Sequence, residues 1–303
     1  MFLLFSADFG DKYKSELVLV HTITRKSVKR KKKPIFEPIF GLAVLDKELF
    51  VVVEDNSEVE VYNSTKLSLS RRWGLDELIC PMDIGSCDKN KCLYFFDCKG
   101  IGHSNKILRV NSNGKLIKTW PTGDDYGRIS VTYDSNIIFI IYAKNKLSEY
   151  SPDGQMIRKI NLSSDLSRSI IGPLHAIKLT NGDFVVSHGT FVGDGLHRVC
   201  LVDADGVLKK SFGGKRGSTI GQLDRPVYLS VDRSGFVMVA DNLNNRILLL
   251  DSDLKLRREI ISEEKHGLRN PSSIVFDEPS GQMFVADNEW NSDGQILVFH
   301  SSS

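Results

Sequence analysis

The sequence has no long hydrophobic run. Its apolar stretches are the length of strands, well short of the roughly 18 residues that suggest a membrane span. Residues 1–5 are hydrophobic but lack a basic segment, and Asp8 interrupts them before they reach the length of a signal-peptide core. We therefore predict a protein that does not contact a membrane and resides inside the cell, in the cytoplasm.

Cysteine is scarce and lacks the paired CxxC spacing of zinc sites. The five cysteines are an odd number, which favours reduced thiols over a disulfide framework: Cys80, Cys87, Cys92, Cys98 and Cys200. The first four fall around one predicted hairpin, where the alternating faces of two strands do not bring four thiolates to one point. We expect free thiols and no bound metal.

Catalytic motifs are also absent: the chain has no GxSxG elbow, no phosphate-binding loop and no paired-carboxylate motif. With 303 residues, ordinary hydrophobic content and a formal charge of +2, it belongs with globular proteins. These features predict a protein that is not an enzyme and needs no cofactor.

A repeated three-strand unit is what the sequence does contain. In residues 222–250, short runs rich in Val, Ile and Leu (227–231, 236–240 and 246–250) are separated by turns of Asp, Asn and Gly. Such runs indicate strands rather than helices. The unit occurs six times, and in five copies a proline marks the start: Pro38, Pro81, Pro173, Pro226 and Pro271.

A fourth, basic strand follows the third strand in five of the six units, because the chain stops soon after the last third strand. The unassigned β-rich segment 16–24 supplies the missing strand. We therefore predict an all-β fold, a six-bladed β-propeller of four-stranded antiparallel blades whose last blade is closed by an N-terminal strand. The predicted division is an N-terminal arm, residues 1–35, and a propeller, residues 36–303.

Residues 222–250 and 270–299 closely resemble the NHL repeat. The first copy contains Gly221-Gln222, Pro226, Val231-Asp232, Gly235, Val239-Ala240-Asp241 and Asn245-Arg246-Ile247. The second keeps Pro271, Asp277, Gly281 and Val285-Ala286-Asp287, but lacks the arginine after Asn291. The first four units depart much further from the pattern.

NHL propellers at the C-termini of tripartite-motif ubiquitin ligases select targets by binding protein or RNA. The resemblance implies a similar role for this chain. The chain lacks a RING or B-box cysteine-histidine pattern and a coiled-coil heptad run, so it would be the recognition module alone or a lone relative of that group. Our leading hypothesis is a non-catalytic module that binds a protein partner. RNA binding is the alternative, and a lyase-like or lactonase-like propeller enzyme is the second alternative.

Trp290 is the predicted anchor of the binding face, because it lies in a polar loop with no obvious blade core to fill. The other interpretation is that it packs under its own loop. Loops on the same side of the ring carry the remaining predicted residues, namely Arg225, Arg269, Arg128 and His266. These side chains would form a basic face around one aromatic residue.

A dense basic run links the closing strand to the first blade and comprises Arg25, Lys26, Lys29, Arg30, Lys31, Lys32 and Lys33. It suits phosphate binding or nuclear import, or else it is a solvated loop. Asp241 and Asp287, which close their second strands, are expected to hold loops in place, with Arg246 linked to Asp241. His175, His188 and His197 fall in one unit, which fits poorly with a metal site shared between blades.

Overall fold

The protein folds into six four-stranded antiparallel sheets arranged as the blades of a propeller. The computed structural model describes residues 16–25, 37–53, 57–98, 104–123, 125–142, 144–162, 172–189, 195–289 and 292–301. The first strands of neighbouring sheets contact one another in a closed circle around a central axis. The predicted all-β, six-bladed fold is confirmed.

Each blade consists of four consecutive strands, except that the last blade takes its fourth strand from the N-terminal part of the chain. The first, innermost strands are β2 (Ile39–Leu45), β6 (Pro81–Cys87), β10 (Gly127–Val131), β14 (Pro173–Lys178), β18 (Pro226–Val231) and β22 (Pro271–Asp277). The second strands are β3 (Glu48–Val53), β7 (Cys92–Asp97), β11 (Ile137–Ile141), β15 (Phe184–His188), β19 (Val237–Asp241) and β23 (Gln282–Asp287).

The outer half of each blade is formed by the third and fourth strands. The third strands are β4 (Glu58–Asn63), β8 (Asn105–Asn111), β12 (Lys146–Tyr150), β16 (Leu196–Val202), β20 (Arg246–Leu250) and β24 (Gln295–Ser301). The fourth strands are β5 (Ser68–Gly74), β9 (Leu116–Gly123), β13 (Met156–Asn161), β17 (Leu208–Lys215), β21 (Leu256–Ser262) and, in the last blade, β1 (Leu17–Thr24). A 3₁₀ turn (Asn242–Asn244) and helix α1 (Glu263–His266) complete the described secondary structure.

The core lies between the blades. Every residue of β7, β11, β15 and β19 is buried, because each second strand has a neighbouring blade on both faces. Phe96 and Phe139 show the packing between the second and third blades, with ring centroids 5.0 Å apart. Among the described residues, no helix is long and apolar enough to cross a membrane.

A bulge follows the first residue of the innermost strand in five blades. The pairing between first and second strands shifts by one residue there, as between Pro81 and Asp83 and between Pro226 and Tyr228. The third blade starts with Gly127 instead of proline and has no shift. A Cβ at Gly127 would lie 1.9 Å from the carbonyl oxygen of Ile140, so only glycine fits. Bulges redirect the side chains that follow them, here the third residue of each strand.

Strand β1 closes the ring by pairing antiparallel with β24, which confirms the predicted closing strand. Leu17 and Ile23 of β1 are both 5% exposed, whereas Val18 and Val20 are about half exposed at 49% and 50%. The strand therefore contributes one apolar side to the core and one side to solvent. The boundary at residue 35 stays a prediction, because it lies outside the described residues.

Candidate functional site

We name the two faces of the ring by the ends of the first strands. The proline face is the face at which these strands begin, and the hairpin face is the face at which they turn into the second strands. Because second strands run antiparallel to the first, the loops that follow them lie on the proline face. The parts of the predicted binding loops that the structure describes are therefore on this face.

Asp83, the third residue of β6, is fully buried beside the axis. Its Oδ2 accepts a hydrogen bond from the backbone N–H of Ile129 in the next blade at 3.0 Å, and its Oδ1 accepts one from Ile84 at 2.9 Å. Burial raises the pKa of Asp83 to about 6, against the opposing effects of the Arg128 charge and these backbone N–H groups. The carboxyl group joins the second blade to the third.

His175, the third residue of β14, joins the third, fourth and fifth blades. Its Nδ1 accepts a hydrogen bond from the backbone N–H of Leu229 at 3.3 Å, so its Nε2 carries the proton and donates to the Ile129 carbonyl at 3.3 Å. The imidazole stacks on the Tyr228 ring with centroids 4.0 Å apart. Burial lowers the pKa of His175 to about 3, and the charge of Arg128 acts in the same direction.

Arg128 differs from the prediction, since it is not a loop residue on an open face. It is the second residue of β10, and its side chain is only 14% exposed. Nε donates to the Tyr142 hydroxyl at 3.0 Å, and Nη1 donates to the Phe40 carbonyl at 2.9 Å. The guanidinium carbon lies 5.5 Å from the centroid of the Tyr228 ring. Arg128 therefore spans the axis from the third blade to the first.

Arg225 lies on the proline face directly before β18, beside Arg128. Its backbone N–H donates to Nδ1 of His197 at 2.7 Å, and its carbonyl accepts from the backbone N–H of Asn242 at 3.2 Å. Burial, and then the charge of Arg128, lower the pKa of Arg225 to about 10. The guanidinium is still protonated at neutral pH, and its Nη1 donates to Oδ1 of Asn242 at 3.5 Å. The positive charges of Arg225 and Arg128 therefore act on each other at this end of the axis.

The backbone of Arg225 has an unusual conformation, with a φ of 58°. Asn270 occupies the same place in the next blade, directly before its proline, with a φ of 51°. The left-handed region suits asparagine, whereas arginine is uncommon there. A residue held in such a conformation by its surroundings suggests a functional site.

Two other predicted residues lie away from the axis. Arg269 pairs with Glu263, at 3.5 Å, and with Glu289. His266 is the last residue of α1, and its ring packs edge-on against Phe299 with centroids 5.4 Å apart. The predicted basic residues are therefore divided. The charges of Arg128 and Arg225 act on each other, whereas Arg269 pairs with carboxylates and His266 packs against the last blade.

Trp290 and most of the basic run lie outside the described residues. The members of the run outside are Lys26, Lys29, Arg30, Lys31, Lys32 and Lys33. Arg25, predicted as part of the same run, is described and is buried, with 4% of its surface exposed. Its Nε lies 2.8 Å from Oε2 of Glu60. Arg25 is thus an internal ion-pair partner in the first blade and cannot contact an external phosphate.

Asp241 holds the loop that leads into its blade. Its Oδ1 accepts from the backbone N–H of Asp224 at 2.7 Å, and its Oδ2 accepts from Nε of Arg246 at 2.8 Å and from Nδ2 of Asn244 at 2.8 Å. Burial raises the pKa of Asp241, while these hydrogen bonds act in the opposite direction. The carboxylate is surrounded by its own blade's donors.

Asp287 repeats this arrangement in the last blade. Its Oδ1 accepts from the backbone N–H of Arg269 at 2.7 Å, and its Oδ2 accepts from Nε2 of Gln295 at 2.9 Å. Burial raises the pKa of Asp287 to about 6. Gln295 takes the place that Arg246 has in the fifth blade, so the loop keeps its carboxylate although the arginine of the repeat is lost.

We expect Asp241→Ala to lower the free energy of unfolding by about 1–3 kcal/mol, because the half-buried N–H of Asp224 and the Arg246 guanidinium lose an acceptor. Asp241→Asn keeps an acceptor for the backbone and should cost less. Urea unfolding of both variants measures the difference. Unchanged stability in Asp241→Ala, together with loss of partner binding, would instead make Asp241 a binding residue.

The three histidines of the fourth blade do not form one site. His175 lies at the axis, His188 ends β15 and is buried, and Nδ1 of His197 accepts the hydrogen bond from Arg225. Within the described ranges, no group of three or more His, Cys, Asp or Glu residues is arranged to hold a metal ion.

A cavity of about 310 Å³ opens at the hairpin face of the axis. All six blades contribute to its wall, and the charged groups that line it are Asp88, Lys89, Lys178, Arg233, Asp277 and Glu278. Sequence reasoning did not identify this cavity, and it also missed Asp83, Tyr142 and Tyr228. The sequence does carry one signal for the residues at the axis. Several first strands have a polar residue at their third position, and the bulge after the first residue turns that side chain toward the axis.

The comparisons with known proteins support the fold. A hydrazine synthase structure from Kuenenia stuttgartiensis covers 92% of this chain, and 99% of its own chain, at 12% identity and a TM-score of 0.60. Two proteins of unknown function, from Bacteroides caccae and Bacteroides thetaiotaomicron, are each 14% identical, with TM-scores of 0.56 and 0.65. They cover 78% and 87% of this chain, and 85% and 70% of their own chains.

No family model matches the chain, and no curated protein matches it. The similarity to the NHL repeat therefore remains a resemblance carried by the motif residues of two blades. At identities of 12–14%, the solved structures show a shared propeller fold and nothing about activity.

Proposed function

We propose that this propeller is a non-catalytic recognition module that binds an acidic segment of a protein partner at the proline-face end of the axis. The observation that supports this most directly is Arg225. It is held in a left-handed conformation, fixed through its backbone by His197 and Asn242, and placed beside a second guanidinium, that of Arg128.

The charge at this end of the axis favours an anionic ligand. After burial, the positive charge of Arg128 is the main cause that lowers the pKa of Arg225. Asp83, 3.9 Å from Arg128, has a pKa raised to about 6 and already accepts two backbone hydrogen bonds. A carboxylate from a partner would reduce the repulsion between the guanidinium groups in a partly desolvated place, where charge-assisted hydrogen bonds are strong.

A protein segment suits the site better than RNA. Nucleic-acid binding uses many phosphate contacts along an extended basic surface. The described basic residues that act on each other at this end of the axis are only two, Arg128 and Arg225. Arg269 is already paired with Glu263 and Glu289. RNA binding is the second candidate, and its support comes from the sequence of the basic run at residues 29–33.

The axis supports binding rather than catalysis. Asp83 and His175 are the two groups at the axis that could act as general bases. Both carboxylate oxygens of Asp83 accept hydrogen bonds from backbone N–H groups, and both ring nitrogens of His175 hydrogen-bond to backbone groups. Reaction with a substrate proton would require these links between blades to break. Similarity to a hydrazine synthase structure concerns the fold alone and does not favour an enzyme.

Replacing Arg225 by asparagine tests the proposal without disturbing the backbone. Asparagine is the residue at this place in the next blade, so the variant should be as stable as the natural protein or more stable by up to about 1 kcal/mol. Affinity for the partner should fall by about 2 kcal/mol, or roughly thirtyfold, because one of two converging guanidiniums is lost. Trp290→Ala tests the anchor that the sequence predicts in the same way.

The measurement begins with crosslinked capture from native cells, split into protein and RNA fractions, and continues with titration of the purified partner. Arg257→Asn is the matched control, because Arg257 lies on β21 of the same blade and its side chain is 56% exposed. Binding that survives in Arg225→Asn contradicts the proposal. Loss of binding on neutralising Lys29 to Lys33, with a steep fall in affinity as salt rises, would favour RNA.

A further inference from the structure

Two cysteines face each other across the hairpin between β6 and β7. Cys87 is the last residue of β6, Cys92 is the first residue of β7, and the two are direct partners in the strand pairing. Directly opposite residues of antiparallel strands project to the same side of the sheet, with Cβ atoms about 4.5–5.5 Å apart. Both side chains are buried, and their thiol groups hydrogen-bond each other.

The surroundings make the two thiols unequal. The sulfur of Cys87 accepts hydrogen bonds from the Cys92 thiol, the Ser135 hydroxyl and the backbone N–H groups of Lys89 and Asn90. These donors lower the pKa of Cys87 to about 5, against the opposing effect of burial. The same contact, together with burial, raises the pKa of Cys92 well above its usual range. The proton is therefore held more weakly by Cys87 than by Cys92.

Cys87 lies in the wall of the cavity on the hairpin face, together with Ser135. The pair is therefore in contact with a space that a small molecule can occupy, although Cys87 is only 3% exposed. Cys200 is a contrasting case, because it is fully buried and its pKa is raised to about 12 by burial. A thiolate that is accessible reacts with oxidants, whereas a buried neutral thiol is inert.

We infer that Cys87 and Cys92 form a redox-active dithiol, which a small hydroperoxide entering the hairpin-face cavity oxidises to an intramolecular disulfide. The Cys87 thiolate attacks one peroxide oxygen, the O–O bond breaks, and Cys87 becomes a sulfenic acid. The leaving hydroxide combines with the proton that Cys87 gave to the solvent on ionisation and becomes water. The Cys92 sulfur then attacks the Cys87 sulfur. The S–S bond forms, and the S–O bond breaks with release of water, so the two thiols are oxidised by two electrons and the peroxide is reduced.

The test treats the reduced full chain with an equimolar amount of hydrogen peroxide, blocks remaining thiols with iodoacetamide and maps the linked peptides. We expect a Cys87–Cys92 link that dithiothreitol reverses, formed roughly tenfold or more faster than any oxidation of Cys200. Cys92→Ser should stop the reaction at a sulfenic acid on Cys87, which dimedone traps. Cys200→Ser is the matched control and should behave like the natural protein.

A pH profile separates a thiolate mechanism from slow, unselective oxidation. The rate should persist at pH 6 and fall only as the pH drops through about 5, where the Cys87 thiolate takes up a proton. Removing one donor with Ser135→Ala should move this fall to higher pH without loss of folding. The charged groups facing Cys87 across the cavity are mixed in sign: Asp88, Lys89, Lys178, Arg233, Asp277 and Glu278.

Three results would overturn the inference. The first is that Cys87 and Cys92 stay reduced while peroxide is consumed. The second is a link between Cys80 and Cys98 in place of the Cys87–Cys92 link. Cys80 and Cys98 lie at the other end of the same two strands, where the Cys98 N–H donates to the Cys80 carbonyl at 2.9 Å. The third is a Cys87 rate that follows an ordinary thiol, rising only above about pH 8.

Discussion

Deleting residues 1–24 should cause cooperative loss of the folded ring or its aggregation, since it removes β1 from the last blade. Seven residue pairs between β1 and β24 would be lost, and β24 would become an unpaired edge. Leu17 packs with the core between the fifth and sixth blades, and Ile23 packs with the core between the sixth and first blades. One strand therefore supports two interfaces, and circular dichroism with thermal unfolding measures its loss.

A point substitution gives a finer test of the same strand. Ile23→Asp should cost about 3 kcal/mol or more, because it places an unpaired carboxylate in the core and removes apolar contacts. Val20→Asp on the same strand is the control, since Val20 is 50% exposed and an aspartate there remains in water. Equal stability of the two variants, or a deletion that melts like the full chain, would show that β1 is dispensable.

Arg25→Ala should lower the free energy of unfolding by about 3 kcal/mol or more, because it leaves the Glu60 carboxylate buried without its main partner. The side chains of Arg25 and Glu60 are 1% and 2% exposed. Arg25 also donates from Nη1 to the Glu37 carbonyl at 2.9 Å. This group ties the segment that follows β1 to β4 of the first blade, so the ring is joined by an ion pair as well as by a strand.

The pH dependence of this ion pair follows from Glu60. Burial alone would raise the pKa of Glu60, but the hydrogen bond and charge of Arg25, together with hydrogen bonds from Tyr62 and Arg72, outweigh it, and the pKa is lowered. The stabilisation is therefore present above the unfolded value of about 4.3 and is lost as the pH falls through the lower pKa of the folded state. The difference between the natural protein and Arg25→Ala should be constant near neutral pH and shrink below about pH 4.

Urea unfolding across this pH range measures the effect, and Arg71→Ala is the control. Arg71 pairs with Glu48 in the same blade, but the two side chains are 36% and 25% exposed. A pair that keeps this much contact with water contributes far less than a fully buried one, typically about 1 kcal/mol or less. If Arg71→Ala and Arg25→Ala destabilise the protein equally, burial does not make the Arg25–Glu60 pair more important for stability than the Arg71–Glu48 pair.

The strands and their number could be predicted from the sequence, because each strand is a local signal. Apolar runs such as residues 227–231 and 236–240 recur at similar spacing, and a proline precedes the first run in five units. A count of the strands then shows that one is missing. Segment 16–24 was the remaining candidate for this strand. Pairing with it covers the edge of the last blade that would otherwise be left unpaired. The closing strand could therefore be predicted from local strand patterns and from the number of strands in each unit.

The candidate site was predicted only in part. Arg225 is a loop residue at the end of the axis, as its position before Pro226 indicates. Arg128 was expected on the same loops, but it lies inside the ring, because the blade that starts at Gly127 has no bulge. A shift of one residue in the pairing of two strands decides to which side a side chain points. The sequence of a single strand does not reveal this shift.

The sequence by itself determined the strands, the six blades and the closing segment, since these depend on periodicity and turn residues within short stretches. Only the tertiary structure decided which polar groups meet. Arg25 is buried against Glu60, Arg128 reaches Tyr142 and Phe40, and Cys87 meets Ser135, although each set is drawn from distant parts of the chain. Closing the ring brings these segments together, and burial and charge then act between residues that no local pattern connects.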